Sequence, residues 1–298
     1  MRIFLTGATG FIGSHLAPLL LGAGHQVLGL TRSDAGARAL VEAGVEPHRG
    51  RLEDPDSLAA GAAKADAVIH TAFDHDFSNF MANCEKDERA IRAMGAVLAG
   101  SERPLVITSG TGMGAAGPGD LATEDVINTD HPNPRVASEV AGEGLVAAGV
   151  KVVVVRLPQV HDTRKQGLVS PAIEHARQKG VSAYVGEGLN RWPAAHVSDV
   201  ALLYRLAVEQ GRAGERFHAV GEEGVAARDI ATAVGNGLGV PVVSLAPEQV
   251  SEHFGWLAMF VGMDMPASSA WTRQRLGWRP EGPGILADLQ NMDYAAAA

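Results

Sequence analysis

The chain has 298 residues, 46% of them hydrophobic and 20% charged, with a formal net charge of −9. Such a chain is long enough to bury a sizeable core, and its acidic balance excludes an extended nucleic-acid surface, which needs a basic stripe to displace counterions. The one cysteine, Cys84, has no internal disulfide partner, no apolar run approaches membrane-spanning length, and Met1 leads straight into the first predicted strand, so a cytoplasmic protein without membrane attachment is expected.

Ile3, Phe4 and Leu5 form a short apolar run, Gly7, Gly10 and Gly13 follow at three-residue spacing, and an apolar-periodic helix runs from Phe11 through Ile12, Leu16, Leu19 and Leu20. A strand that enters a glycine-rich turn and then a helix is a dinucleotide-binding opening. Gly7 permits the turn, Gly10 lets the backbone approach a pyrophosphate, Gly13 allows close packing, and the free N–H groups of the helix start face the phosphates. Residues 6–13, TGATGFIG, closely resemble the opening of the extended short-chain dehydrogenase/reductases, the NAD-dependent epimerase/dehydratase-like group. The resemblance implies an α/β fold, a doubly wound parallel (Rossmann) sheet with a smaller C-terminal substrate-capping portion. It places cofactor contacts on Gly7, Thr9, Gly10, Phe11, Ile12 and Gly13.

His25–Thr31 reads as the second strand and Asp34–Ala43 as a helix. Where NAD-binding chains of this pattern carry an acidic residue for the ribose 2′-hydroxyl, this one has Thr31-Arg32-Ser33. A guanidinium suits a 2′-phosphate, so Arg32 points to NADP rather than NAD. Residues 45–49 form a third strand, Leu52 is the candidate adenine contact, and Asp54-Pro55 reads as a helix start. Asp66–Ala72 is the fourth strand, and the resemblance passes Thr71, Ala72 and Phe73 beneath the nicotinamide ribose. His70, a lone strand histidine, reads as packed. A helix over 76–99 follows, whose mixed-charge run from Glu85 to Arg92 reads as a solvated face.

The fifth strand, Leu105–Thr108, ends in Ser109-Gly-Thr-Gly-Met-Gly114. The resemblance puts the residue that hydrogen-bonds the substrate oxygen on Ser109, with Thr111 as its competitor. The family's Tyr-x-x-x-Lys pair is missing: that register reads Arg135-Val-Ala-Ser138-Glu139. An arginine stabilises an oxyanion but is a poor proton donor, so Arg135 is the third catalytic candidate, and the proton is left to water or to a group the sequence does not identify, with His161 and His131 as candidates. Glu139 is four residues from Arg135, a spacing that predicts an ion pair between them on the helix surface.

Lys151–Arg156 is the sixth strand, and the segment after it resembles one that packs on the nicotinamide carboxamide through Pro158 and Val160. A helix over 169–179, strands near 183, 217 and 242, and an apolar aromatic stretch from Phe254 to Gly262 follow. His196-Val-Ser-Asp199 resembles a family segment whose Ser/Asp start caps a helix, and Leu276-Gly-Trp278-Arg-Pro280 a family C-terminal motif, so the resemblance spans almost the whole chain. No metal-ligand spacing is present. The organisation expected is an NADP-binding portion over 1–165, continuing into parts of 195–220, and a mainly substrate-binding portion over 166–298. The activity implied is NADP-dependent hydride transfer to or from a carbonyl or alcohol of a small molecule. The alternatives are a nucleotide-sugar epimerase or dehydratase, or a non-catalytic NADP-binding sensor. Neither nucleic acid nor membrane is an expected partner, and the oligomeric state stays open, a homodimer being one arrangement.

Overall fold

In the computed structural model, which describes residues 1–295, the first strand, β1 (Arg2–Thr6), sends Ile3 and Leu5 into one core and Phe4 into another. That alternation is the period-2 geometry of a strand buried on both faces. It recurs in β4 (Ala67–His70), β5 (Leu105–Gly110) and β6 (Val152–Leu157), so the residues that read as plain apolar runs are divided between two cores.

Between these strands run α1 (Phe11–Gly22), β2 (Gln26–Thr31), α2 (Asp34–Glu42), β3 (Glu46–Arg49), α3 (Pro55–Ala63), α4 (Phe80–Leu98) and α5 (Val136–Ala147). Beyond β6 come β7 (Gln159–His161), α6 (Val169–Lys179), β8 (Ser182–Val185), β9 (Arg191–His196), α7 (Val197–Gln210) and β10 (Arg216–His218). The chain closes with β11 (Glu222–Ala226), α8 (Ala227–Leu238), β12 (Val242–Leu245), α9 (Val250–Phe254), α10 (Ala258–Val261), α11 (Ala270–Leu276) and α12 (Ile285–Asn291).

The main sheet has the order β10-β6-β5-β4-β1-β2-β3, and every pairing in it is parallel. This is a Rossmann-like doubly wound fold. Helices α1 and α7 supply Leu16, Leu20, Val200 and Tyr204 to one face, while α3, α4 and α5 supply Leu58, Ile91, Met94 and Leu145 to the other. The capping portion has its own core, in which Trp192, Ile230, Val234, Phe254, Phe260 and Ile285 meet. Around it lie the small sheets β11-β9-β7 and β12-β8.

Some boundaries differ from the sequence reading. The helix expected over 76–99 begins as a 3-10 turn at Phe77–Asn79, because the Asp76 carboxylate accepts the Ser78 N–H at 3.0 Å and caps that turn, and α4 starts at Phe80. Strands β9 and β11 were not expected at all. Helix α7 is capped by the His196 side chain, which accepts the Ser198 N–H, and not by the expected Ser/Asp start. Asp199 instead accepts the N–H groups of Glu281 and Gly282 at 3.1 and 2.9 Å, and its carbonyl takes the Trp278 indole N–H. Among the described residues no helix is long and apolar enough to cross a membrane. Of the alanine tail 295–298, only Ala295 lies within the described residues.

Candidate active site

Parallel strands place their carboxyl ends on one edge, and that edge gathers the candidate cofactor residues. Gly7 turns the chain off β1 with φ +69°, a conformation that disfavours a side chain, and a Cβ there would meet Thr71 Oγ1 and Ala72 N of the segment after β4. Thr71 Oγ1 donates to the Thr6 carbonyl at 2.8 Å and Ala72 N–H to Thr6 Oγ1 at 3.2 Å, so the ends of β1 and β4 are tied together. A Cβ on Gly13 would come within 2.0 Å of the Gly7 carbonyl, so α1 packs against its own entry turn. On Gly10 a Cβ would meet only the Gly7 carbonyl within 4 Å and otherwise point into open space. The N-cap position of α1 has no side-chain cap. A pyrophosphate therefore fits this turn, with Thr9, Phe11 and Ile12 beside it. Arg32 is exposed and rims a depression together with Thr31, Arg49, Gly50 and Arg51 and the carboxylates Glu53 and Asp54, with Leu52 beside them in the chain. Arg49 is engaged by Asp34.

The catalytic candidates are arranged differently from expectation. Arg135 begins α5 with a side chain only 13% exposed, and Glu139 is not its partner. The Arg135 guanidinium donates to Asp87 at 2.6 Å, to Ser138 Oγ and to the Thr108 carbonyl at 2.8 Å, and its Cζ lies over the Phe73 ring, 4.3 Å from the ring centre. A guanidinium has more N–H donors than these bonds use. Glu139 instead turns into the fold, where Arg156 grips both carboxylate oxygens at 2.7 Å and Arg216 approaches to 3.5 Å. The i,i+4 pairing fails because each partner finds a better one in the interior.

Asp87 is the centre of this arrangement. It accepts from Ser138 Oγ at 2.6 Å and meets His70 Nε2 at 3.0 Å, while His70 Nδ1 meets Thr6 Oγ1 at 2.7 Å. Burial would raise its pKa, but the Arg135 charge, His70 and Ser138 bring it well below the usual carboxylate range. His70 is thus packed, as its position in the strand implied. The run from Glu85 to Arg92 is not uniformly solvated, since Asp87 is buried within it.

Ser109 is 3% exposed, and its hydroxyl makes no hydrogen bond of ordinary length, although it is among the groups that hold the Glu139 carboxyl low. Thr111 is buried in the 3-10 turn Thr111–Gly114. Neither hydroxyl is among the hydrogen-bond partners of Arg135. Pro158 is half-buried and Val160 buried, just past the end of β6. Of the two proton-source histidines, His161 is fully enclosed, with Nδ1 2.6 Å from Asp288, whereas His131 sits half-buried just before α5. Cys84 is enclosed and its thiol is pushed up to about 11 by burial, so it is inert.

Two further residues enter the site that sequence reasoning missed. His75 shares the Phe73 ring with Arg135, at 5.4 Å between ring centres. It is exposed, and desolvation by the surrounding fold, then the Lys165 and Arg135 charges, lower its pKa, so it is neutral at pH 7. Lys165 reaches across from the segment between β7 and α6 to lie 5.7 Å from the Phe11 ring centre. The Asp162 carboxylate fixes that segment by accepting the N–H groups of Arg164 and Lys165 at 2.7 and 2.8 Å. The signal for His75 was its place five residues past a strand histidine, at a carboxyl end. Lys165 had none.

Comparison with known proteins places these features in context. The sequence profile of the NAD dependent epimerase/dehydratase family matches residues 3–220. An uncharacterized protein of Schizosaccharomyces pombe is 46% identical over 99% of this chain and 100% of its own length. A 2-alkyl-3-oxoalkanoate reductase of Stenotrophomonas maltophilia is 30% identical over 70% of this chain and 66% of its own. A UDP-glucose 4-epimerase structure from Thermus thermophilus superposes with a TM-score of 0.73 at 23% identity, covering 97% of each chain.

Proposed function

We propose that this chain, which belongs to the NAD dependent epimerase/dehydratase family, is an NADP-dependent oxidoreductase that moves a hydride between the nicotinamide and a carbonyl or alcohol carbon of a small molecule. The observation that carries this reading is the Arg135 guanidinium fixed at the carboxyl ends of β4 and β5 by Asp87, Ser138 and the Thr108 carbonyl. There it keeps a positive charge and N–H donors that these bonds leave unused, which would stabilise an oxyanion developing beside it, in a position that the carboxylate and the Phe73 ring help to fix. When bound, the cofactor supplies the hydride. The turn over Gly7–Gly13 would hold its diphosphate and Arg32 and Arg51 its 2′-phosphate, while Lys165 lies on the capping side. His75, neutral at pH 7, takes the proton from an alcohol hydroxyl, or in its charged form returns it to the oxygen. The name of the reductase from Stenotrophomonas maltophilia supports carbonyl reduction.

The test is NADPH and NADH oxidation with a panel of aldehydes, ketones and sugar nucleotides. Faster turnover with NADPH on simple carbonyls supports the reading. Turnover confined to sugar nucleotides replaces it with an epimerase or dehydratase cycle. A non-catalytic cofactor-binding role is the second reading, favoured by how many of the Arg135 donors the protein itself occupies. Tight NADPH binding without turnover on any of the panel selects it.

A further inference from the structure

Beyond Phe73, which the cofactor reading already uses, the aromatic residues around the site continue as a wall that no cofactor contact accounts for. From Arg135 the path runs to Phe73, whose ring centre lies 6.3 Å from that of Phe80. Phe80 is 5.5 Å from Phe77, and Phe77 stacks on Trp256 of the capping portion at 4.5 Å and 6°. Trp256 in turn meets Phe260 edge-on at 6.4 Å. Phe73, Phe77 and Phe80 are only half-buried and Trp256 is 37% exposed, so a core would have hidden what this surface leaves open.

Several charged groups beside the wall already have partners. Asp74 is held by Lys86 at 2.7 Å, and Asp76 is engaged by Ser78 and Asn79. On the capping side Arg191 meets Asp264 through two N–H groups at 3.0 and 2.8 Å. Lys165, whose charge acts on His75, is not among these pairs, and Asp76 has neutral partners, so what sets this path apart is its aromatic surface rather than an absence of charge.

Resting on the oxidoreductase reading above, we propose that the substrate is a carbonyl compound or alcohol with a flat apolar body, its oxygen at Arg135 and its body against Phe73, Phe77 and Trp256. The stretch α9–α10 is then the specificity wall, and the capping portion selects substrates by aromatic contact rather than by ion pairing.

The test compares benzaldehyde, glyceraldehyde and UDP-glucose with the full chain and NADPH, and measures benzyl alcohol binding by ligand-observed NMR in the presence of NADP. Expected are a KM for benzaldehyde about tenfold or more below that for glyceraldehyde, and benzyl alcohol binding that Trp256→Ala abolishes. The same variant raises the KM for benzaldehyde with kcat and NADPH binding unchanged, and Trp256→Phe restores most of the effect. If Trp256 only docks the capping portion, Trp256→Ala lowers the melting temperature and leaves the KM ratio as it was, and the proposal falls. Preferred turnover of glyceraldehyde or UDP-glucose also overturns it. Trp256-dependent binding of benzyl alcohol with no turnover of any compound sinks the oxidoreductase reading and leaves the wall standing.

Discussion

Arg135 and Asp87 face each other at 2.6 Å, the carboxylate fully enclosed and the guanidinium nearly so. Removing the arginine alone leaves a buried carboxylate whose charge only His70 and Ser138 offset. Arg135→Ala is therefore expected to lower stability by about 3 kcal/mol and to abolish most turnover. Arg135→Lys keeps the charge but not the planar fork, and retains part of both. Denaturant unfolding beside steady-state kinetics checks this. Unchanged stability in Arg135→Ala would mean that the pair contributes nothing to the fold.

Rebuilding the family's tyrosine–lysine pair is expected to fail. Glu139→Lys would set an ammonium against Arg156 and Arg216 in a buried site and remove the carboxylate that Arg156 needs. Arg135→Tyr combined with Glu139→Lys should yield little soluble protein. Adding Arg156→Met to that pair should recover expression. A folded, active double variant would contradict the placement of Glu139.

On the proposed pairing of Arg32 with a 2′-phosphate, Arg32→Ala should weaken NADPH binding roughly tenfold and leave NADH, which lacks that group, nearly unchanged. Arg51→Ala should act in the same direction, because both residues rim one depression. Equal losses for the two cofactors, read by titration, would remove the 2′-phosphate from the account.

With His75 in its proposed role, the pH dependence of turnover should follow that residue. Its pKa is lowered from 6.5 by burial and by the neighbouring Lys165 and Arg135 charges, so the neutral form prevails at pH 7. Alcohol oxidation should decline as pH falls below 6.5, whereas carbonyl reduction should rise over the same range. Both inflections should vanish in His75→Gln. An unaltered profile in that variant would assign the proton to another group.

Stability should also fall in acid, and His218 contributes. Its Nδ1–H donates to the Ser268 carbonyl at 2.8 Å, which leaves Nε2 to accept from Arg156 at 3.2 Å, and burial, followed by that guanidinium, lowers its pKa to about 3. The unfolded chain takes up the proton near 6.5, so the neutral-histidine contribution is complete above that value and is lost progressively as pH falls towards 3. His218→Gln should flatten the slope of stability between roughly pH 6.5 and 4.5, above the range in which carboxylates titrate. His161, also lowered by burial, adds to the slope that remains.

The glycine turn and the six strands of the first half were readable because each depends on local pattern: apolar alternation, turn residues and a helix start. The main sheet follows from them. Strands β9 and β11 were not readable, since Trp-Pro-Ala-Ala and Glu-Glu-Gly-Val carry no clear alternation and owe their conformation to pairing with each other. Glu139 was misplaced for a related reason, because helical spacing says nothing about a partner on β6. Asp87 did leave a trace. Cys84, Ile91 and Met94 mark the buried stripe of α4, and Asp87 falls on it at helical spacing, so a charge there had to be paired inside the fold.

The position of β10 has a consequence for how the chain is made. The edge of the main sheet beside β6 is closed by Arg216–His218, and the α1 face is covered by α7, yet both are synthesised only after the long excursion through α6, β8 and β9. Until roughly the last quarter of the chain leaves the ribosome, β6 presents an open hydrogen-bonding edge of consecutive valines and α1 a bare apolar flank. An exposed valine edge of this kind recruits other strands. Chains truncated before Arg216 should therefore aggregate rather than accumulate as a soluble nucleotide-binding fragment, and nascent chains should lean on holdase chaperones until that strand docks.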